Sequence, residues 1–144
     1  MKKISLLLFV SLLLIACQEE KSNLEKEHEK ALQEVLDVHD EAMPKMGELS
    51  GLISELEQKI EEDSTQVQLV KAKTNLQAAH DNMMSWMKDF AERFPDVYND
   101  KDYTDEELKA QLKLLEVEKD EVNAMRDFVF ASIADAKRVL GKEE

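Results

Sequence analysis

Two eight-residue segments repeat one pattern of potential ligands: His39-Asp40-Glu41-Ala42-Met43-Pro44-Lys45-Met46 and His80-Asp81-Asn82-Met83-Met84-Ser85-Trp86-Met87. Each reads His-Asp-x-x-Met-x-x-Met, which on a helix sets one imidazole and two thioethers on a single face. Imidazole and thioether are ligands that select Cu(I). If the two segments pair antiparallel about a turn near residue 64, residue i lies opposite about 128 − i. Met43 then faces Ser85, Ala42 faces Trp86, Met46 faces Asn82, and His39 lies near Met87 and Phe90. Five of the six methionines after Met1 share that layer, and the candidate metal set is His39, Met43, Met46, Met83 and Met87. His80 falls near Glu48, outside the set. The same residues suit plain core filling, because flexible thioethers pack well on Trp86 and Phe90. Core filling is the leading reading of the layer, and a soft-metal site the alternative.

Cys17, the only cysteine, carries the second chemistry. Lys2 and Lys3 precede an apolar run from Ile4 to Ile15, too short for a lasting membrane span but suited to a secretory leader. The run ends in Leu14-Ile15-Ala16-Cys17, a lipobox, so Cys17 is expected to become the acylated first residue of a bacterial lipoprotein. Each buried acyl methylene contributes about 0.8 kcal/mol, so two or three chains anchor a protein without a transmembrane helix. Gln18-Glu19-Glu20 follows. Position +2 is not aspartate, which points to the outer membrane. The acidic residues match a surface-export tag as well as they match a solvated tether, so the surface and periplasmic faces both stand.

Composition narrows the partners. The leader holds two of the 19 basic residues and none of the 32 acidic ones, so residues 17–144 carry 17 basic against 32 acidic residues, a net charge of −15. Such a chain does not bind nucleic acid, which needs basic clusters. Nor is it drawn to anionic lipid, so the expected membrane contact is through N-terminal acyl chains. With Cys17 modified no disulfide is possible, and packing alone must hold the fold.

Other site types fail on spacing. Glu25-Lys26-Glu27-His28 supplies one Glu-x-x-His where a di-iron bundle needs two. There is no Cys-x-x-Cys-His for attached haem. Asp96, Asp100, Asp102 and Asp105 lack the spacing, glycine and terminal glutamate of a calcium loop. No nucleophile stands with a partnering base. No catalytic residues and no cofactor are expected.

These residues must be positioned by helices. His28, Leu32, Val35, His39, Ala42, Met46, Leu49, Ile53, Leu56 and Ile60 alternate spacings of four and three, the seam of an amphipathic helix. Pro44 lies inside it and predicts a kink near residues 40–44. Asp63-Ser64-Thr65 offers caps for a second helix with seam Leu69, Ala72, Leu76, Ala79, Met83, Trp86 and Phe90, ending near Phe94-Pro95. Residues 96–103 read as a loop. Thr104-Asp105-Glu106-Glu107 is a capping box for a third helix to Leu140, with Leu108, Leu112, Leu115, Val122, Met125, Val129, Ile133, Ala136 and Leu140 inward. Its seam passes through Glu118 and Lys119, which predicts one polar or exposed layer. Gly141 suits the C-terminal cap. The expected fold is all-α, an elongated antiparallel three-helix bundle with a proline-kinked first helix. Its divisions are a leader over 1–16, an acylated acidic tether over 17–27, a bundle over 28–140 and a tail over 141–144.

The stretches Val38–Gly47, Met83-Met84-Ser85-Trp86-Met87 and Ser132-Ile133-Ala134-Asp135-Ala136, with the lipobox, resemble a family of small Bacteroidota lipoproteins often labelled "viral A-type inclusion protein". The resemblance spans nearly the whole chain. It implies a helical lipoprotein and carries no activity and no functional residues; the label reflects Glu/Lys-rich helical composition. The expected function is a non-enzymatic, lipid-anchored protein of the bacterial cell envelope that is structural or binds an envelope protein partner. A His/Met Cu(I)-binding lipoprotein is the alternative.

Overall fold

The computed structural model describes residues 21–62, 65–99 and 101–142, so the leader and Cys17 lie outside the described residues. Regular structure among them is entirely helical: α1 (Asn23–Ala42), a short 3₁₀ turn (Met43–Lys45), α2 (Met46–Glu62), α3 (Val67–Arg93) and α4 (Asp105–Val139). With α1 and α2 joined, these make a three-helix bundle, as the periodicity predicts.

Local chemistry sets the helix ends. α1 begins inside the stretch read as a tether because Ser22 and Glu25 cap it reciprocally. Ser22 Oγ accepts from Glu25 N–H at 3.1 Å, and Ser22 N–H donates to Glu25 Oε2 at 2.5 Å. Thr104 and Glu107 repeat the device at the start of α4, with bonds of 3.3 and 2.8 Å. α3 departs from expectation. It starts at Val67 behind Gln66, which makes no side-chain cap, while Asp63 and Ser64 lie outside the described residues. Gly141, at φ 68°, closes α4: its N–H reaches Arg138 O at 3.1 Å and Lys142 N–H reaches Lys137 O at 2.9 Å. At Pro44 the α1 ladder gives way to the 3₁₀ turn, where Met46 N–H bonds Met43 O. Pro44 has no N–H to donate, so one turn must do without it.

The core sits along one stripe of each helix. Val35, Ala42, Leu49 and Leu56 recur every seven residues and are fully buried. The alternate set, Leu32, His39, Met46, Ile53 and Ile60, is half-buried. On α3 the whole predicted seam from Leu69 to Phe90 is buried. On α4 the buried line is Leu108, Leu115, Val122, Val129 and Ala136, with Glu118, Met125 and Ser132 between them. One expectation needs correction: Leu112 is only half-buried, because the centre of the stripe runs through Leu108 and Leu115. The expected polar layer is present, with Glu118 0% exposed and Lys119 exposed and paired with Glu34 at 2.5 Å.

Ion pairs report the orientation of the helices. Glu34, Glu41, Glu48 and Glu55 recur every seven residues and meet Lys119, Arg126 and Lys137 of α4 and Lys142 just beyond it. The sequence separations are 85, 85, 89 and 87, so α1 and α2 run parallel to α4. α3 returns between them, and Glu57 of α2 meets Lys73 of α3 at 3.5 Å. α1 packs chiefly on α4, while α2 packs chiefly on α3.

Burial separates two leucines of similar sequence context. Leu115→Ala should destabilise by about 2–5 kcal/mol, the range for a buried leucine truncation. Leu112→Ala should cost clearly less. Urea unfolding of both variants checks this, and equal losses would contradict the assigned stripe.

Candidate functional site

The first predicted set divides by exposure. Met83 is fully buried, and Met46 and Met87 pack half-buried against the core. Met43, the first residue of the 3₁₀ turn, is 40% exposed, and Met84 is also exposed. Met125 of α4 is the other methionine inside the core. His39 stacks on Trp86, with ring centroids 5.5 Å apart and planes 25° apart. Trp86 was expected opposite Ala42, one turn away. His39 Nδ1 lies 3.0 Å from Asp40 Oδ1, and Nε2 is buried without a hydrogen-bond partner. His80 repeats the local pairing, its Nδ1 lying 3.3 Å from Asp81 Oδ1. It opens on a separate groove with Ser50, Ile53 and Gln77, so the two histidines do not share a site. Among the described residues, no three His, Cys, Asp or Glu side chains are grouped to hold a metal ion.

What His39 joins is a column of rings. Trp86 stacks on Phe90 at 5.0 Å, and Phe90 meets Phe94 at 4.8 Å. α3 supplies these rings at intervals of four residues, so they stand one above another on the same face. Beside the column lies the buried carboxylate of Glu118. Its Oε1 accepts from the Arg93 guanidinium, which also donates to Glu121 Oε2 at 3.0 Å. Burial pushes the Glu118 carboxyl above the usual carboxylate range, Glu121 adds to the rise, and Arg93 opposes it. The Trp86 indole N–H pulls the same way as Arg93 but lies outside hydrogen-bond geometry. Trp86 Nε1 and Glu118 Oε2 are both buried without a formed hydrogen bond.

At one end of the bundle a cavity of about 310 Å³ lies between the start of α1 and the α3–α4 loop. His28, Glu29 and Leu32 line it with Asp96, Lys101 and Tyr103. His28 packs on Tyr103 with centroids 5.7 Å apart, and burial lowers its pKa against the pull of Glu29 and Gln111. The loop acids are partly paired: Lys101 meets Asp96 at 3.2 Å and lies 4.8 Å from the Tyr103 ring centroid.

Sequence reasoning identifies the polar layer at residue 118 but not its partner. Arg93 lies 25 residues earlier, and no local pattern links the two. The acidic heptad Glu34, Glu41, Glu48, Glu55 is a signal that periodicity could have found, because it repeats at constant spacing along one helix edge.

The raised carboxyl makes a stability prediction. Glu118 binds its proton more tightly folded than unfolded, so its contribution is fully present below the unfolded pKa and is lost as pH rises through the folded value. Glu118→Gln should therefore gain on the native protein in thermal melts as pH rises from 4 toward 8. Arg93→Ala should lose about 1–3 kcal/mol at neutral pH by leaving the buried carboxylate unpaired. A melting-temperature gap between the native and Glu118→Gln chains that ignores pH would refute the assignment.

Comparison with protein-family models, curated proteins and solved structures finds no match to this chain, so the reading of function rests on its own residues and geometry.

Proposed function

We propose that the chain is a non-enzymatic lipoprotein of the bacterial cell envelope, anchored by acyl chains on Cys17, whose acidic helical bundle binds a protein partner. The lipobox Leu14-Ile15-Ala16-Cys17 carries this reading. Geometry supports it. Lys21 lies four residue steps after Cys17, a reach of at most about 14 Å. Anchoring there holds the start of α1 and the α3–α4 loop close to the bilayer surface. Tyr98, in that loop, is 87% exposed, and an amphipathic ring suits a lipid interface. Among the described residues no helix is long and apolar enough to cross a membrane, so a lipid anchor would be their means of attachment. The acidic surface of the bundle, in a chain of net charge −13, supports a binding role.

A second reading, soft-metal binding, is favoured by one observation: the buried, unpartnered Nε2 of His39 in a core that also holds Met83. Space filling by the methionines remains the reading of choice, because Met43 faces outward.

Cys17→Ser should abolish acylation and leave unprocessed precursor. Metabolic labelling with a palmitate analogue checks it, and a labelled serine variant would refute the anchor. For the methionines, replacement of Met43, Met46, Met83 and Met87 by Leu should cost less than about 1.5 kcal/mol each. Added Ag(I) should shift neither the melting temperature nor Trp86 fluorescence. A saturable stabilisation that disappears in the leucine variant and in His39→Ala would establish the metal reading instead.

A further inference from the structure

α4 carries a second apolar stripe outside the three-helix core. Leu114, Val117, Ala124, Phe128 and Ala131 recur at helical spacing, interrupted once by Glu121, and all are exposed. Val117 is 51% exposed and Phe128 38%. The stripe borders a groove of about 420 Å³ between α3 and α4. Its α3 wall is Asn82, Ser85, Asp89 and Arg93, and Trp86 and Met125 also line it. The small side chains Ser85 and Ala124 leave room for the ridge of another helix.

Charge selects the occupant. Asp89 and Glu121 line the groove, and Asp120 and Asp127 stand exposed immediately before Glu121 and Phe128. The single cation in the lining, Arg93, already serves Glu118 and Glu121. Outside the lining Arg126 is shared by Asp127 and Glu41 and Lys88 by Asp89 and Glu92, so each cation serves two acids and negative charge stays in excess. A second copy of this chain brings the same acidic edge to the interface. An antiparallel copy that matches Val117 to Phe128 sets Asp120 within two residues of register with Asp127, on the same edge. The chain's net charge of −13 opposes self-association further.

We propose that this groove takes a cationic amphipathic helix of a partner protein, with the partner's apolar seam on Val117 and Phe128 and its Lys or Arg side chains against Asp89, Asp120, Glu121 and Asp127. The proposal rests on the partner-binding reading above and gives that reading a site.

The test uses the full chain in zwitterionic nanodiscs, with empty discs as baseline. The probe is a fluorescein-labelled three-heptad peptide with Leu at a and d and Lys at e and g, read by anisotropy. Val117→Ser with Phe128→Ser should weaken binding at least tenfold, and Val67→Ser, elsewhere on the surface, should leave it unchanged. Asp120→Lys with Asp127→Lys should weaken it similarly while leaving the apolar stripe intact, as should a peptide with Glu in place of Lys. Raised salt should weaken native binding. Equal affinity across the variants, indifference to peptide charge, or no binding at all overturns the proposal. So does sedimentation showing a dimer that Phe128→Ser dissolves. Palmitate labelling of the same sample separates the two readings: an acylated chain that ignores the peptide fails on the groove, whereas a chain that binds but is not acylated fails on the anchor.

Discussion

A charged side chain in the centre of a hydrophobic stripe is the constraint around which the bundle is organised. Glu118 occupies a fully buried position of α4 between Leu115 and Val122, where a leucine would pack without cost. Removing a carboxylate from water is expensive unless it is paired, so α3 must bring Arg93 to the same level. That requirement permits one sliding register between α3 and α4, since a shift of one turn would separate the guanidinium from the carboxylate by about 5.4 Å. Hydrophobic seams repeating every seven residues would otherwise tolerate such a slip. The pair thus contributes specificity of register more than net stability.

The same register places the aromatic column. With Arg93 at Glu118, the Trp86 indole stands beside the buried carboxylate and its face is offered to His39 of α1. The imidazole therefore does two jobs that a leucine there could not. It covers the indole, and it keeps one nitrogen near Asp40 at the solvent side. One member of the candidate ligand set, His39, is thus also part of a stacked packing layer. A thioether can join the core only where the helix stripe points inward, and at Pro44 the ladder is interrupted just where Met43 would need to be held there.

Outside the core the bundle is unevenly finished. On the side where α1 and α2 meet α4, a heptad of glutamates is matched by lysines and an arginine, and burial is completed by their alkyl stems. The Lys119 and Lys137 bonds hold the Glu34 and Glu48 carboxyls below the usual range. Exposed pairs of this kind contribute little individually, but a run of them along one edge, at offsets of 85 to 89 residues, opposes slippage of parallel helices. On the side where α3 meets α4 the cross-helix pairs centre on Arg93 with Glu118 and Glu121, and apolar residues of α4 stay open beside acidic ones. An anchor at Cys17 would set the α3–α4 loop toward the bilayer and direct that open groove along the axis leading away from it.

Much of this architecture is legible in the residues alone. Alternating spacings of three and four give the helices, Thr104 with Glu107 and Gly141 give two of their ends, and the lipobox gives the expected address. These are local properties, written in residues a few positions apart. Three things were decided only by the tertiary structure. Within the α4 seam that periodicity marks, Leu112 stays half-buried while Leu108, Leu115, Val122 and Val129 are buried, because the neighbouring helices meet the stripe through Leu108 and Leu115. Glu118 is inside rather than in water because Arg93, on another helix, can reach it. Met83 and Met125 are core residues while Met43 and Met84 are not, because a side chain's exposure depends on where the partner helices lie. Local pattern specifies a helix and its candidate faces, but the choice among faces is made by the packing of three helices at once, and that sum is not written at any one position.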